Sequence, residues 1–416
     1  MDTLYPRVAG LDVHKSTVVA CLRITDSQTG KAQETVRTFD TMTDGLLTLA
    51  DWLAQQQVTH VAMESTGVYW KPIWNILEAF DFKVLLVNAK ELKQVPGRKS
   101  DVKDSQWIAQ LLACGLLRSS YVPPRGQREL RDLTRQRAQL HGEHTRCANR
   151  IHKVLQDANV KLSSVATDVL GVSGRDMLAA LINGEDDPVA LAELARGKLR
   201  KKIPDLVRAL RGHVTEHHRF MLEQLFEHLA HLEEQLAKFS ERIEEALRPF
   251  VSDATFERLD VIPGVNRNTI EDIVAEIGVD MNQFPTAGHL ASWGGVCPAN
   301  EESAGKRKRG RTKKGNVWLR RALCQASWAA SRKKDSYFQA QYHRLAARRG
   351  KKRAAMAVGH AILEVIYHLL KNPDMEYHDL GGNYFDTLDP ERLCRNLVKR
   401  LESLGFEVQL TERKAA

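Results

Sequence analysis

The chain has 416 residues, which is enough for two or three domains that each bury a core. Its residues are 43% hydrophobic and 27% charged, as in a globular protein, and no apolar run approaches the ~20 residues that span a bilayer. The six cysteines lack a Cys-x-x-Cys pair and the first residues lack a secretory layout, so we expect a reducing cytoplasm, without disulfides or a thiolate zinc site.

The positive charge of the chain is concentrated in one segment. The net charge is +9, but residues 301–360 contain 18 Lys and Arg against 3 Asp and Glu. The other 356 residues therefore carry a net charge of −6. A local surplus of this kind indicates a polyanion bound at one place, and nucleic acid is the partner that we expect.

The first 120 residues predict an α/β domain with a mixed sheet. Two strands joined by a tight turn are predicted within residues 8–24, and a third at 33–40, from their strand-forming residues. Short, almost wholly apolar segments at 60–65 and 82–89 are typical of parallel strands covered on both faces. Helices are predicted from their apolar periodicity at residues 43–56, 70–80 and 101–117.

Four acidic residues of this domain form a candidate metal site: Asp12, Glu64, Asp101 and Asp104. Asp12 interrupts the first strand, where an unpaired carboxylate is costly, and Glu64 ends the first parallel strand. Asp101 and Asp104 lie three residues apart at a helix start, so they share a face. Together these carboxylates would make a hard-oxygen site for a pair of divalent metal ions. As alternatives, Asp101 is an N-terminal acid favoured by the helix dipole and Glu64 caps a strand end.

Long helices are predicted in the middle of the chain. Residues 127–158 are charged and helical, residues 160–204 are a less regular insert, and residues 205–247 form a long helix that Pro249 stops. Apolar residues alternate spacings of three and four along residues 222–246, which is a coiled-coil signature. This helix could pack on residues 127–158 within one chain, or pair between two chains.

The last part of the chain predicts shorter elements. Residues 259–278 form two short helices around an Ile-Pro-Gly-Val turn, which resembles a helix-hairpin-helix, where backbone N–H groups approach a DNA phosphate. The basic character continues to about residue 353. Residues 389–404 predict an amphipathic helix, and residues 406–410 predict a strand.

The segment from Val296 to Arg321 places Ser303 between two glutamates and a run of lysines and arginines. Glycines keep that run open because glycine disfavours helix, and a helical pattern begins after Asn316. A hydroxyl in a cationic loop at a helix start suits the handling of a phosphate. Alone, the segment favours a solvated basic loop that grips nucleic acid. The four acids reverse that preference, because they supply the metals that a serine nucleophile needs.

Ordered motifs of the chain resemble the DEDD transposases of insertion-sequence family 110. GLDVHK, AMESTGVYW and KSDVKDSQWIAQLL, which carry the four acids, resemble the first domain of those proteins. IPGV, ASWGGVCP, ESAGK and GRTKKGNVWLR resemble their second domain. The GLDVHK opening and the ESAGK form are most similar to the 1111 subgroup. The resemblance covers about 1–155 and 255–340, and the chain is longer than the family in its middle and its tail.

The resemblance implies a recombinase in two catalytic parts. Residues 1–125 would be a ribonuclease-H-like domain of the RuvC type, whose acids hold Mg²⁺, and residues 253–370 a mainly helical transposase domain with Ser303 as nucleophile. Residues 126–252 would be a helical coiled-coil linker and dimerisation segment, and residues 371–416 an appendage. The implied partners are double-stranded donor and target DNA, a structured non-coding bridge RNA that pairs with both, and further copies of the chain, as a dimer that assembles to a tetramer. We expect a bacterial, nucleoid-associated protein without a membrane partner.

The neighbours of Ser303 are interpreted as phosphate clamps rather than catalysts. This set of basic residues is Lys306, Arg307, Lys308, Arg309, Arg311, Lys313, Lys314, Arg320 and Arg321. Ser292, Ser65 and Thr66 are weaker candidates for the nucleophile. The main rival function is a metal-dependent, structure-selective nuclease of the junction-resolvase kind, which needs the acids but no serine. The other rivals are a non-catalytic nucleic-acid-binding protein and a sugar-kinase-like ATPase. Such an ATPase requires further glycine-rich phosphate loops, which this sequence lacks.

Overall fold

The computed structural model describes residues 3–26, 29–65, 67–88, 92, 104–298, 302–303, 306–307 and 315–411. The chain divides into two compact units, Met1–Pro123 and Pro124–Ala416. The finer division of the second unit at residues 252 and 370 stays a prediction.

The first unit is built on a mixed sheet of five strands in the order β3-β2-β1-β4-β5. The β1–β2 and β2–β3 pairs are antiparallel, and the β1–β4 and β4–β5 pairs are parallel. The predicted mixed α/β arrangement is therefore confirmed. The strands are β1 Arg7–Val13, β2 Thr17–Thr25, β3 Ala32–Asp40, β4 His60–Glu64 and β5 Lys83–Val87. The helices are α1 Thr43–Gln55, α2 Trp70–Leu77 and α3 Asp104–Ala113.

Each face of this sheet has its own core, because alternate residues of a strand point to opposite faces. On one face, Leu11 and Met63 are buried with residues of α1 and α2. On the other, Val8 and Ala62 are buried with Trp107, Ile108 and Leu111 of α3. The helix predicted at 101–117 ends at Ala113 because Gly115, with φ +67°, adopts a left-handed conformation that stops it. Its first three predicted residues lie outside the described residues.

Gly10 allows α3 to lie directly on β1. A Cβ atom at this position would lie 2.3 Å from the carbonyl oxygen of Ser105 and 2.4 Å from the amide nitrogen of Ala109. We expect Gly10→Ala to force the helix off the strand and to lower the free energy of unfolding by about 2 kcal/mol or more, measured as a lower urea midpoint. Gly288→Ala is the control, because the nearest neighbour of a Cβ there, the hydroxyl oxygen of Thr286, lies 3.6 Å away. Equal midpoints for the two variants would contradict this role of Gly10.

The second unit is mostly helical. Its first half contains α4 Arg125–Asp157, α5 Val172–Ile182, α6 Pro188–Glu193, α7 Ile203–Leu210 and α8 Glu216–Leu247. Its second half contains α9 Asp253–Asp260, α10 Arg267–Ile277, α11 Ala287–Gly294, β6 Glu302–Ser303, β7 Lys306–Arg307, α12 Val317–Ala330, α13 Tyr337–Arg349, α14 Lys351–Lys371, α15 Tyr384–Thr387 and α16 Pro390–Glu402. The insert at 160–204 is therefore more regular than predicted, since it contains α5 and α6.

The α4 and α8 helices form a hairpin within the chain. Leu222, Leu225, Leu229 and Leu232 of the heptad pattern are buried in one core with Cys147 and other residues of α4. Of the two arrangements left open by the sequence, the intramolecular one is present. Pairing of α8 between chains stays a prediction.

The continuous helix predicted at 205–247 is wrong, because the chain leaves the helical path between Leu210 and Glu216. Gly212 packs there against the residue that follows α4, with a hypothetical Cβ only 2.5 Å from the carbonyl oxygen of Ala158. Thr215 then caps α8: its hydroxyl accepts from the amide of His218, and its own amide donates to the His218 ring. This reciprocal cap starts a new helix after the close contact.

The turn predicted to resemble a helix-hairpin-helix joins α9 to α10. Gly264 has φ +83°, and a Cβ on it would lie 2.3 Å from the carbonyl oxygen of Ala326. The glycine therefore allows the turn to approach the backbone of α12. The backbone that this turn approaches is therefore that of a protein helix in the same unit.

The end of the chain differs from the prediction. Residues 406–410 are not in a strand, so that prediction is wrong.

In the described part of the chain, α14 is long and apolar enough to cross a membrane by length and composition, contrary to the expectation that no such run exists. Its Val358, Ile362, Leu363 and Ile366 are buried in the core of the second unit, as in the core helix of a globular domain.

Candidate active site

Asp12 and Glu64 lie on neighbouring strands at the same edge of the sheet. The parallel register pairs Leu11 of β1 with Met63 of β4. One further residue along each strand brings Asp12 beside Glu64, at the ~4.8 Å spacing of adjacent strands. The preceding residues, Leu11 and Met63, point to the opposite face. The side chains of Asp12 and Glu64 therefore project from the face that α3 covers. Glu64 is partly buried, as is Asp12, whose side chain is 23% exposed.

The α3 helix begins at this same edge. Its last residue, Ala113, accepts hydrogen bonds at 2.7 and 3.0 Å from the amides of Leu4 and Tyr5, just before β1, while its first turn covers Gly10. The helix therefore runs antiparallel to β1, with its N-terminal end towards Asp12. Asp104 is the first residue of α3 and is exposed. Three of the four predicted acids thus come to one end of one layer, and Asp101 lies outside the described residues.

The chemistry of these side chains fits a hard divalent cation. All three are carboxylates, the ligands that Mg²⁺ and Mn²⁺ prefer. Asp12 also lies near a base, because one carboxylate oxygen is 3.3 Å from Nε2 of His14. Within the described residues, no three His, Cys, Asp or Glu side chains are gathered closely enough to hold an ion. These residues therefore suit a divalent cation by their carboxylate oxygens and by their position at one edge of the sheet. A closed coordination shell requires Asp101 or movement of these acids.

Ser303 lies in a short hairpin of the second unit. The two-residue strands β6 and β7 are antiparallel, with Ser303 paired to Lys306 and Glu302 paired to Arg307. The predicted open loop therefore contains a paired section at the serine. Lys308, Arg309, Arg311, Lys313 and Lys314 lie outside the described residues. The backbone register alone places a hydroxyl-bearing residue opposite a lysine.

The segment that carries this hairpin is closed at its base. Val296, just before it, is 2% exposed. Gly315, at its other end, approaches the backbone so closely that a Cβ would lie 2.3 Å from the Gly295 amide nitrogen and 2.4 Å from the Gly294 carbonyl oxygen. The chain thus leaves and returns at one point of the helical core.

A buried carboxylate fixes the return of this segment into α12. Asn316 caps α12 by accepting from the amides of Trp318 and Leu319, and its side-chain amide donates to Glu276 at 2.6 Å. Glu276 is 1% exposed and accepts two hydrogen bonds from the guanidinium of Arg135, at 2.8 and 2.9 Å. Arg131 lies 3.5 Å from the same carboxylate. Removing one partner would leave a buried charge uncompensated, at a cost of about 3–5 kcal/mol, so the anchor depends on the complete network.

Glu276 was not singled out in the sequence, although it carries the same signal as Asp12. It is an acid within the apolar run IVAEIG, where an unpaired carboxylate is costly. Its partners Arg131 and Arg135 are more than 140 residues away in the chain, so nothing local identifies them.

Cys297 is the other reactive group near the hairpin. Its sulfur lies 3.8 Å from Nδ1 of His360, whose Nε2 lies 3.3 Å from Glu364. This order of thiol, imidazole and carboxylate is that of a nucleophile with its base. Burial, followed by the charge of Glu364, raises the pKa of Cys297, which keeps the thiol protonated at neutral pH. Cys297 is therefore a poor nucleophile, and Ser303 remains the candidate nucleophile.

Two of the predicted phosphate clamps lie on α12. Arg320 is partly buried, and Arg321 donates through one Nη1–H to the carbonyl oxygen of Ala138 at 2.8 Å. Arg321 therefore faces α4 instead of standing free in solvent. Lys306 and Arg307 are placed by the backbone of β7 beside the serine strand.

Comparison with known families identifies both parts of the chain. A DEDD transposase model of IS110 elements matches residues 9–160, and the Transposase IS116/IS110/IS902 family model matches residues 256–343. No curated protein matches the chain. Both matching models describe transposases, the DNA-binding enzymes that move insertion sequences, and together they cover more than half of the 416 residues. The chain belongs to the IS110 family of transposases.

Proposed function

We propose that this transposase is an RNA-guided serine recombinase, which cuts and rejoins DNA through a covalent phosphoserine. The observation that carries the proposal is the convergence of Asp12, Glu64 and Asp104 at one edge of the sheet. The second support is Ser303, which the backbone of a basic hairpin presents in the other unit. We assign to the first unit the RuvC-type fold of a ribonuclease-H-like domain, which its sheet order and terminal acids support.

The proposed reaction is a transesterification at phosphorus. The Oγ–H bond of Ser303 breaks as an Oγ–P bond forms, and the bond from phosphorus to the neighbouring deoxyribose oxygen breaks. The released sugar hydroxyl takes up a proton, so one DNA end is esterified to the serine and the other is free. Attack of a sugar hydroxyl on the phosphoserine reverses the step and joins a new pair of ends without ATP.

The acids have a distinct role in this scheme. Asp12, Glu64, Asp101 and Asp104 would hold Mg²⁺ or Mn²⁺, which neutralises charge that develops on the phosphate and lowers the barrier of a weak nucleophile. DEDD transposases typically depend on divalent metal ions. The basic residues on and after β7 would hold the DNA backbone, because Lys and Arg neutralise phosphates without reading sequence.

The proposed active form contains several copies of the chain. The acids and the serine belong to different compact units, so one site can combine the acids of one protomer with the serine of another. We propose dimers that assemble to a tetramer, with the exposed side of α8 as a contact between chains. A bridge RNA encoded by the element pairs with donor and target DNA and selects the sites. The proposed location is the bacterial cytoplasm, at the nucleoid.

The RNA part of the proposal is tested by what the protein retains on purification. We expect the full chain, expressed with the DNA that flanks its gene, to co-purify with one discrete structured RNA, because guide pairing requires a defined partner. Sequencing of the bound RNA measures this. The control is expression without the flanking DNA, which should remove that species. Random cellular RNA in both preparations would refute RNA guidance and leave the transposase assignment intact.

A hydrolytic nuclease of the junction-resolvase kind is the second candidate, since it needs the metal-holding acids but no serine. The two mechanisms differ in one product. A nuclease releases free 5′-phosphate or 3′-phosphate ends, whereas the serine mechanism leaves protein attached to one end.

A further inference from the structure

A polar cleft of about 440 Å³ lies in the second unit. It is lined by α4, the turn between α9 and α10, the first residues of α10, and α12. The side chains that matter for its chemistry are those of Arg137, His141, Asp272 and Arg321. A volume of this size is within the range of small-molecule sites in proteins.

Two of these side chains have hydrogen-bonding capacity left over. Asp272 accepts a hydrogen bond from Arg137 at one oxygen, Oδ1, at 2.8 Å, and 28% of its side chain is exposed. Arg321 donates one N–H to the carbonyl oxygen of Ala138. Among the described residues, Oδ2 of Asp272 and the remaining N–H groups of Arg321 have no hydrogen-bond partner. The cleft therefore presents an acceptor and a planar donor fork together.

The remaining charges in this cleft compensate one another. Arg137 is 3% exposed and lies between the carboxylates of Glu271 and Asp272, and Arg267 lies 3.2 Å from the other oxygen of Glu271. Burial raises the pKa of Asp272, and Arg137 and Arg321 act in the opposite direction. A phosphate would be repelled by the partly exposed carboxylate of Asp272. A neutral planar ligand with both donors and acceptors suits the cleft better.

We propose that this cleft holds an unpaired guanine base of a bound nucleic acid. Arg321 would donate to O6 and N7 of guanine, the commonest base-specific contact of arginine, and Asp272 would accept from N1–H and the 2-amino group. Adenine presents a donor where Arg321 needs an acceptor, and pyrimidines lack N7. Guanine alone satisfies both side chains.

The imidazole of His141 provides a ring surface beside these groups. Burial first, and then the positive charges of Arg137, Arg321 and His144, lower the pKa of His141. The ring is therefore neutral at pH 7 and can stack on a base without a charge to desolvate. Unpaired bases in RNA loops are bound in this way, by stacking together with hydrogen bonds to their edges.

This inference rests on the proposed function only in requiring that nucleic acid is bound. It assigns base recognition to Asp272 and Arg321 and leaves the proposed role of Ser303 unchanged. Single-stranded RNA and single-stranded DNA are both possible sources of the guanine, and they share the edge that the cleft recognises.

The test uses the full chain and labelled hexanucleotides of uridine that carry one guanosine, inosine or adenosine at the third position. Fluorescence anisotropy gives each Kd, and the same series in DNA separates the two sources. We expect guanosine to bind about tenfold tighter than adenosine, with inosine between them because it lacks the 2-amino group. Equal affinity for all three, or displacement of the guanosine oligonucleotide by inorganic phosphate at the concentration that displaces oligouridine alone, would overturn the proposal.

Two variants assign the preference to the cleft. Asp272→Asn should abolish the difference between guanosine and inosine, because the amide presents a donor to the 2-amino group. Arg321→Lys should keep the salt dependence of binding and lose the guanosine preference, because a lysine lacks the planar fork. Asp51→Asn, at an exposed site of α1, is the matched control and should change nothing. Circular dichroism checks the fold of each protein.

The outcome is separable from that of the serine mechanism. If Ser303→Ala keeps the guanosine preference while losing covalent adducts, both assignments stand independently. If Asp272→Asn folds normally and still distinguishes guanosine from inosine, the cleft assignment is wrong whatever the serine does.

Discussion

Ser303→Ala is expected to abolish the covalent protein–DNA adduct and to reduce recombination by about 10³-fold or more, since no other group supplies the phosphoester bond. DNA and RNA binding should be unchanged, because the substitution removes one oxygen from a hairpin that the backbone of β6 and β7 already orders. Labelled DNA that carries a donor site, quenched in detergent and resolved by denaturing gel, measures the adduct. Gel shift measures binding on the same preparations.

Ser292→Ala is the matched control for this experiment. Ser292 is exposed on α11, ten positions before Glu302 of the hairpin, and its change removes the same atom from the same unit. It should leave adduct formation within about twofold of the original protein. Undiminished adduct in Ser303→Ala would refute the serine assignment. Cleavage that continues without adduct in both proteins would establish the nuclease alternative.

The secondary structure of the first unit followed from local sequence because each signal spans only a few residues. The apolar runs that became β4 and β5 are buried on both faces, and the alternation in β1 separates two cores. The end of α3 at Ala113 is less visible, since Gly115 acts through its own backbone conformation. Register and strand order required the three-dimensional structure.

The errors lie where contacts between distant residues override local periodicity. The long helix predicted at residues 205–247 extends the unbroken apolar pattern of residues 222–246 towards the N-terminus, yet Gly212 meets the carbonyl of Ala158 and the helix is interrupted there. Residues 406–410 alternate like a strand but have no strand to pair with in the described chain, so their backbone groups remain outside a sheet. Propensity reports what a segment can form, and its neighbours decide what it does form.

The candidate site also combines features that local sequence predicts with features that depend on contacts between distant residues. Asp12 and Glu64 could be identified from the sequence because an acid is costly inside an apolar strand. Their side-by-side placement depends on the β1–β4 register, and the arrival of Asp104 depends on a glycine 94 positions earlier in the chain. The anchor at Glu276 and the cleft at Asp272 unite residues from α4, α10 and α12, which no spacing rule connects.

Asp12→Asn is expected to stop strand cleavage, with a loss of about 10²–10⁴-fold, because an amide carries no negative charge and offers a divalent cation one oxygen in place of two. Chelation of Mg²⁺ should have the same effect on the unmodified protein, and added Mn²⁺ should restore the unmodified protein but not the variant. Asp104→Asn should behave alike, since the N-terminal end of α3 lies towards Asp12. Asp51→Asn changes an exposed aspartate of the same unit and should cleave normally.

The comparison between Asp12→Asn and Ser303→Ala then tests whether one site is made from two protomers. If acids and serine act in the same chain, mixing the two inactive variants cannot restore activity. If the acids of one protomer act with the serine of another, a mixed oligomer contains some sites with both sets intact, and adduct formation returns to a fraction of the original level. Adduct that forms in chelator with Asp12→Asn would show instead that Ser303 needs no metal, and would remove the first unit from the chemistry.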